Sequence, residues 1–176
     1  DREVIKDWLP VDFYMIGPEH IVLHLLYSRF FTKFLRDEGL LNFDEPFMKM
    51  RHQGMILGPD HRKMSKSKGN VIDPDGVISQ YGADTLRLYE MFLGPIEDEK
   101  PWNTESVIGP YKFLKKIYDL FQENAKFQMT NDKLMETTPE LRRALHKTIK
   151  EVGEDITQLK FNTAIATMME FVNELR

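Results

Sequence analysis

With 176 residues, 41% of them hydrophobic and 30% charged, the chain has the composition of a water-soluble globular protein of one or two small domains. It has no cysteine, which excludes a disulfide framework and a cysteine zinc site, and no apolar run approaches the ~20 residues of a membrane span. The net charge of −4 gives no general attraction to nucleic acid, so an RNA partner would have to meet local basic clusters; the expected location is the cytoplasm.

Phe13-Tyr14-Met15-Ile16 is a short apolar run that predicts a buried strand. Gly17-Pro18 breaks it, and Pro18 is placed to open a helix over 19–37 with Gly39 as its C′ residue. Extended segments are expected over 47–50 and 53–57. A strand, a helix and a returning strand make a βαβ-like unit with parallel pairing. Ligands of such sheets bind outside the carboxyl ends of the strands, where Gly17-Pro18-Glu19-His20 and a later lysine loop both lie, so the two are expected to share one site. His20 and His24 have the i, i+4 spacing of a zinc pair. However, Ile21 stands where a metalloprotease needs Glu and no third ligand is apparent, so no metal site is expected.

The lysine loop is Lys63-Met64-Ser65-Lys66-Ser67, followed by Lys68-Gly69-Asn70 and bounded by Pro59 and Pro74. Ammonium groups act as mobile point charges for phosphate oxygens, and hydroxyls and backbone N–H groups add hydrogen bonds, so the loop suits a polyphosphate. Arg62 and Lys68 raise the charge further, and Asp60 is the only acid nearby. A solvated basic loop is the alternative.

Asp73-Pro74 predicts the N-cap and first residue of a short helix ending near Gly82, and a second helix is expected over 83–92. Residues 94–101 read as a linker, and 103–176 as helices packed in a bundle. Val107, Tyr111, Leu114, Tyr118 and Phe121 follow a 3.6 period, as do Leu141, Leu145, Ile149, Val152, Ile156 and Leu159. Thr138-Pro139 opens one of these helices, and Asn162 is expected to cap the last. Met168-Met169 fits core packing. Lys112, Lys115 and Lys116 form one basic cluster; Arg142, Arg143, His146, Lys147 and Lys150 form another, and each could equally be a solvated helix face. The chain starts without Met and its last amphipathic pattern has no stop signal, so it is expected to be a piece of a longer protein.

The five residues Lys63-Met64-Ser65-Lys66-Ser67 match, letter for letter, the "KMSKS" loop of the class I aminoacyl-tRNA synthetases. Leu9-Pro10-Val11-Asp12, Gly17-Pro18-Glu19-His20, His24-Leu25-Leu26-Tyr27, Gln53-Gly54-Met55-Ile56-Leu57 and Tyr81-Gly82-Ala83-Asp84-Thr85-Leu86-Arg87-Leu88 resemble the leucyl-tRNA synthetase family. So do Phe113-Leu114-Lys115-Lys116, Leu145-His146-Lys147-Thr148 and Phe161-Asn162-Thr163-Ala164-Ile165-Ala166, which extends the resemblance over essentially the whole chain. Glu19-His20 followed by His24 discriminates within the class, since isoleucyl, valyl and methionyl relatives usually carry Asp where Glu19 stands. Some family members insert a large domain before the lysine loop, where this chain has only Gly58-Pro59-Asp60-His61-Arg62.

The resemblance implies an α/β plus all-α architecture: the second half of a Rossmann-like parallel-sheet catalytic domain followed by an antiparallel helical bundle. The implied divisions are 1–57 for the catalytic half, 58–100 for the loop and connecting helices, and 101–176 for the start of an anticodon-binding bundle. It implies activation of leucine by ATP, with Mg²⁺ accompanying the nucleotide, and transfer of the leucyl group to tRNA(Leu). Lys66, assisted by Lys63, would meet the leaving pyrophosphate. Met64, Ser65 and Ser67 would complete the ATP-binding loop, and Gly17, Glu19 and His20 would contact ATP, with Glu19 accepting from ribose hydroxyls. The backbone of Met55 and Ile56 would meet the adenine edge, and Arg142, Arg143 and Lys147 would face tRNA. The family's first catalytic half, with its own ATP-gripping motif, is not found, so the chain alone is expected to be inactive and its half sheet to expose an edge. Another class Ia specificity (isoleucyl, valyl or methionyl), a non-catalytic RNA-binding module and an inert structural fragment are the competing readings. No membrane or zinc is implied.

Overall fold

A computed structural model describes residues 2–130 and 138–175, in two compact units. Residues 1–55 with 97–99 make the first; residues 56–96 with 100–176 make the second. Asp1 and Arg176, the terminal positions used above to read the chain as a piece, lie outside the described residues. The structure is mostly helical with small parallel sheets. Among the described residues no helix is long and apolar enough to cross a membrane.

The first unit contains α1 (Arg2–Trp8), β1 (Tyr14–Ile16), α2 (Leu23–Asp37) and β2 (Met50–His52). The strands are parallel, with Tyr14 opposite Met50 and Ile16 opposite His52, and α2 is the crossover that parallel pairing requires. An isolated bridge from Val11 to Phe47 extends the ladder. The returning strand therefore starts later than the expected 47–50. Gln53–Met55 lie outside any strand, and the expected segment 53–57 contributes only Ile56–Leu57, in the other unit. The expected helix from residue 19 is also corrected. Pro18–His20 form a single 3₁₀ turn, with His20 N–H donating to Gly17 O at 3.1 Å, and the regular helix begins only at Leu23. Its far end stops as the sequence predicts. Gly39 sits at φ 71°, its N–H donates to Arg36 O and that of Leu40 to Leu35 O, both at 2.9 Å, which is the Schellman arrangement.

The second unit runs β3 (Ile56–Leu57), α3 (Pro74–Tyr81), α4 (Ala83–Phe92), β4 (Lys100–Pro101), α5 (Ile108–Thr130), α6 (Pro139–Thr157) and α7 (Phe161–Glu174). Asp73 caps α3 by accepting from Asp75 N–H at 3.1 Å, and Gly82, at φ 87°, ends α3 and starts α4. The core is Val77, Leu86, Tyr89, Trp102 and Val107. Tyr89 meets the Trp102 ring edge-on at 5.0 Å and donates its hydroxyl to Asn103 O at 2.8 Å. Burying Trp102 draws its neighbours into order: Lys100 and Pro101 pair in parallel with Ile56 and Leu57, and Trp102 N–H donates to Leu57 O at 2.9 Å. Part of the segment read as a linker is thus a strand.

Thr138 caps α6 as expected, accepting from Leu141 N–H at 3.2 Å. Asn162 does not cap α7. The turn is made earlier by Leu159 at φ 60°, Lys160 takes the N-cap position, and Asn162 falls inside the helix. α6 packs along α7, and α4 contacts both α5 and α7. Ala164, Ile165 and Val172 of α7 are buried, whereas Tyr118, Phe121, Ile149 and Ile156 of the predicted apolar stripes remain exposed.

Candidate functional site

The lysine loop is built from its ends inward. Leu57 and Lys63 form an antiparallel bridge, and Gly58 N–H donates to Arg62 O at 2.8 Å, so residues 58–62 make a tight reversal with His61 at φ 59°. Ser65 is extended, Lys66–Lys68 form a 3₁₀ turn, and Gly69 closes it at φ 65°, a conformation glycine adopts without a Cβ penalty. Met64 packs against the core cluster and pins the middle of the loop. Ser65 and Ser67 join hydroxyl to hydroxyl at 2.8 Å. Lys63 and Lys66 are exposed, and among the described residues Lys66 makes no ion pair with a carboxylate.

Asn70, which the sequence reading left without a role, is the most connected side chain of this loop. Its Oδ1 accepts from Ser65 N–H at 2.8 Å. Its Nδ2 donates to the Asp60 carboxylate at 3.1 and 3.2 Å and to Lys63 O at 3.3 Å. Only this orientation of the amide places its acceptor on a donor and its donors on acceptors. The Asn70 hydrogen bond, followed in effect by opposing desolvation, holds Asp60 below the usual carboxylate range. Gly58 leaves room for the pair, since a Cβ there would lie 2.7 Å from Asp60 Oδ1 and 3.0 Å from Asn70 Nδ2. The available signal was an acidic residue and an amide residue flanking an otherwise basic loop, each beside a glycine-containing turn.

In the first unit, Gly17 precedes the 3₁₀ turn carrying Glu19 and His20, both exposed. The Glu19 carboxylate folds back towards Gly17, where an added Cβ would stand 3.6 Å from Oε2. His24 is half-buried and bonded through Nε2 to the Tyr14 hydroxyl at 2.7 Å, while Tyr14 stacks on Phe47 at 4.0 Å. His24 is therefore a packed, oriented residue. The rings of His20 and His24 lie 6.4 Å apart, and no group of three or more His, Asp or Glu able to hold a metal ion occurs among the described residues. In the same unit, Gln53 buries Oε1 without a hydrogen-bond partner among the described residues, and Gly54 lies against the Asp98 backbone.

The model of the tRNA synthetases class I (I, L, M and V) matches residues 1–102. The chain belongs to this family. It is 56% identical over 171 residues to a leucine–tRNA ligase of Chlorobium chlorochromatii, covering 96% of this chain and 21% of that protein. It is 51% identical over 176 residues to a leucine–tRNA ligase of Leptospira biflexa, covering 99% and 20%. The chain thus spans about a fifth of the length of these curated relatives. Among solved structures, it resembles Agrobacterium radiobacter K84 agnB2 LeuRS in a ternary complex with tRNA and LeuAMS, with TM-score 0.86 and 35% identity over 98% of this chain and 23% of that one. Mycobacterium tuberculosis methionyl-tRNA synthetase in complex with methionyl-adenylate shares the fold, with TM-score 0.75 and 19% identity over 97% of this chain and 34% of that one.

In this class I chain the sequence-predicted residues fall into separate groups. Gly17, Glu19, His20 and Met55 belong to the first unit; Ile56 and Lys63–Ser67 belong to the second. Arg142 and Arg143 line an open groove of about 500 Å³ on α6 with Pro139 and His146. Lys147 is instead engaged one turn along with Glu151 at 3.8 Å, as Lys150 is with Glu154 at 3.9 Å. In the other basic cluster, Lys116 donates to Asn173 Oδ1 of α7, and Lys115 pairs with Asp119 at 3.8 Å.

Proposed function

We propose that the chain is a catalytic segment of a leucine–tRNA ligase, contributing ATP contacts to the activation of leucine before its transfer to tRNA(Leu). The observation that carries this reading is the lysine loop: an exposed Lys66 without a carboxylate partner among the described residues, held in a short turn inside a chain more than half identical to a leucine–tRNA ligase. The relatives' names favour leucine over the isoleucyl, valyl and methionyl alternatives, and a catalytic ancestry over a simple RNA-binding module.

In this reading leucine's carboxylate attacks the α-phosphate of ATP and pyrophosphate leaves. Negative charge moves onto the leaving group in the transition state. A lysine that meets it there lowers the barrier without tightening ground-state binding. Lys66 has that role, with Lys63 assisting. Met64 and the two serines shape the loop around them. Glu19 accepts from the ribose hydroxyls, while Gly17 and His20 line the nucleotide and the backbone of Met55 and Ile56 meets adenine. Mg²⁺ would accompany ATP, whose phosphate oxygens would supply its ligands. Residues 1–57 act as the second half of a Rossmann-like domain, 58–100 as the loop section, and 101–176 as the start of a helical bundle that meets tRNA through Arg142, Arg143 and Lys147.

The test is leucine-dependent ATP–pyrophosphate exchange by a full-length ligase carrying this segment, with the 176-residue chain assayed beside it. Lys66→Ala is expected to lower exchange by about ten- to a hundredfold, the loss of one charge-assisted hydrogen bond in the transition state. The 176-residue chain is expected to be silent, because it has no counterpart to the other four-fifths of its relatives. Exchange that survives the mutation removes Lys66 from its role; exchange that requires a different amino acid overturns leucine; leucine-dependent turnover by the short chain refutes its dependence on the rest.

A further inference from the structure

We propose that Asn70 is a positioning residue for adenylate formation: its amide, braced by the Asp60 carboxylate, clamps the backbone on both sides of Met64 and so presents Lys66. This inference rests on the reading of the loop as an ATP-activating element. It concerns a residue outside the five-residue match that carries that reading.

Asn70 holds two backbone groups, Ser65 N–H at 2.8 Å and Lys63 O at 3.3 Å, which stand either side of Met64 and immediately before Lys66. A free amide could rotate away from such contacts. Here Asp60, ten residues earlier, accepts from Nδ2 with both carboxylate oxygens and fixes the amide plane. Asp60 is itself set by the reversal, since its Oδ1 also accepts from Arg62 N–H at 3.2 Å. The two ends of the basic loop are thus joined by one charge-assisted pair, with Gly58 leaving the space and Gly69 the left-handed turn that brings Asn70 back. A lysine acts in a transition state only if its anchor is fixed within a fraction of an ångström. Met64 in the core fixes one point of the loop, and Asn70 fixes the two that flank it.

The pairing has a chemical polarity that can be reversed. Asn70→Ala removes every clamp contact. Asn70→Asp keeps the shape and the acceptor for Ser65 N–H, but sets two carboxylates against each other. Adding Asp60→Asn to that variant restores one carboxylate and one amide in exchanged places, and with them the pair and the acceptor for Ser65 N–H, but not the bond to Lys63 O. The four proteins are compared in the full-length ligase by ATP–pyrophosphate exchange at saturating leucine and varied ATP, with thermal melting as the check on folding.

Asn70→Ala is expected to lower kcat about tenfold while KM for ATP changes by less than about twofold, the split of a group that acts on the transition state through another. Asn70→Asp should lose at least as much, and the exchanged double variant should recover part of that loss, the part carried by the pair with residue 60 and by the bond from Ser65 N–H. A wild-type kcat in Asn70→Ala, a loss wholly in KM, or a double variant no better than Asn70→Asp overturns the proposal. So does a fall in melting temperature that tracks the fall in kcat across all four proteins. A wild type that exchanges only with another amino acid overturns leucine specificity but leaves the kcat comparison in force. A wild type silent with every amino acid overturns both.

Discussion

Gly54 and Gly153 ask opposite things of their surroundings. A Cβ added at Gly54 would run into the Asp98 carbonyl and approach Glu99 N, so main chain must move to accept it. Backbone cannot swing aside as a side-chain tip can, and overpacking of this kind costs roughly 1–3 kcal/mol or more. Gly153 lies inside α6 with nothing within 4 Å of its added Cβ. There the glycine contributes only unfolded-chain freedom, and replacing it stabilises a helix interior by about 1 kcal/mol. Denaturant unfolding of Gly54→Ala and Gly153→Ala is therefore expected to move the midpoint in opposite directions. A Gly54→Ala protein as stable as the parent would mean that the two backbones do not meet.

At the scale of elements, α2 is tied to the loop before β2 by charge. Arg29 donates to both carboxylate oxygens of Glu45, at 2.6 and 2.9 Å, and Lys33 stands 3.4 Å from Glu45 Oε1. The Arg29 hydrogen bond, partly opposed by desolvation and helped by Lys33, lowers the Glu45 carboxyl to about 2. A carboxyl depressed in the folded state stabilises above its unfolded value of about 4.5, and that contribution is lost as pH falls through about 2. An NMR titration should place Glu45 well below the other glutamates, and Arg29→Ala should return it towards the ordinary range. Because the pair is solvent-exposed, added salt should weaken the effect. A Glu45 that titrates normally in the parent would remove the pair from α2's anchorage.

How far the elements were legible follows from the range of the forces that set them. The Gly39 terminus and the Asp73 and Thr138 caps are local, decided within four residues, and the sequence predicts each one. β4 is not local: Lys100-Pro101 becomes a strand because Trp102 is buried against Tyr89 and its N–H reaches Leu57, forty-five residues earlier in the chain. The start of α7 was misplaced because a non-glycine residue, Leu159, takes the left-handed conformation that composition assigns to Gly or Asn. In the candidate site, the five-residue lysine motif was legible as letters. The Asn70–Asp60 brace depends on two turns meeting in space, and periodicity carries no trace of it.

At the scale of the whole molecule, the decisive quantity is apolar surface left in water. Leu23, Leu26, Tyr27, Phe30, Phe31 and Phe34 repeat at helical spacing along α2, and all are 50–63% exposed. Isolated exposed apolar residues are ordinary, but a continuous stripe of six large ones is the face of a helix that folding normally covers. β2 is exposed along its length and, among the described residues, pairs with β1 alone, which leaves a parallel edge open. The basic residues of α2, Arg29, Lys33 and Arg36, flank this stripe and are already paired with Asp44, Glu45 or Asp37. The 176-residue chain in solution is therefore expected to associate with itself, its average mass rising between about 10 and about 200 µM in sedimentation equilibrium, and to bind an apolar dye. Leu26→Glu with Phe30→Glu should abolish both signals while leaving the helical circular dichroism unchanged, since those side chains contribute little buried area. A parent that stays monomeric over that range with the same dye fluorescence as the double variant would mean that the stripe is too dispersed to drive contact. Association that persists in the double variant would shift the cause to the outer edge of β2, where a proline at Met50 would block pairing, because Tyr14 N–H bonds Lys49 O and the parallel register turns the Arg51 N–H towards β1 and the Met50 N–H away from it.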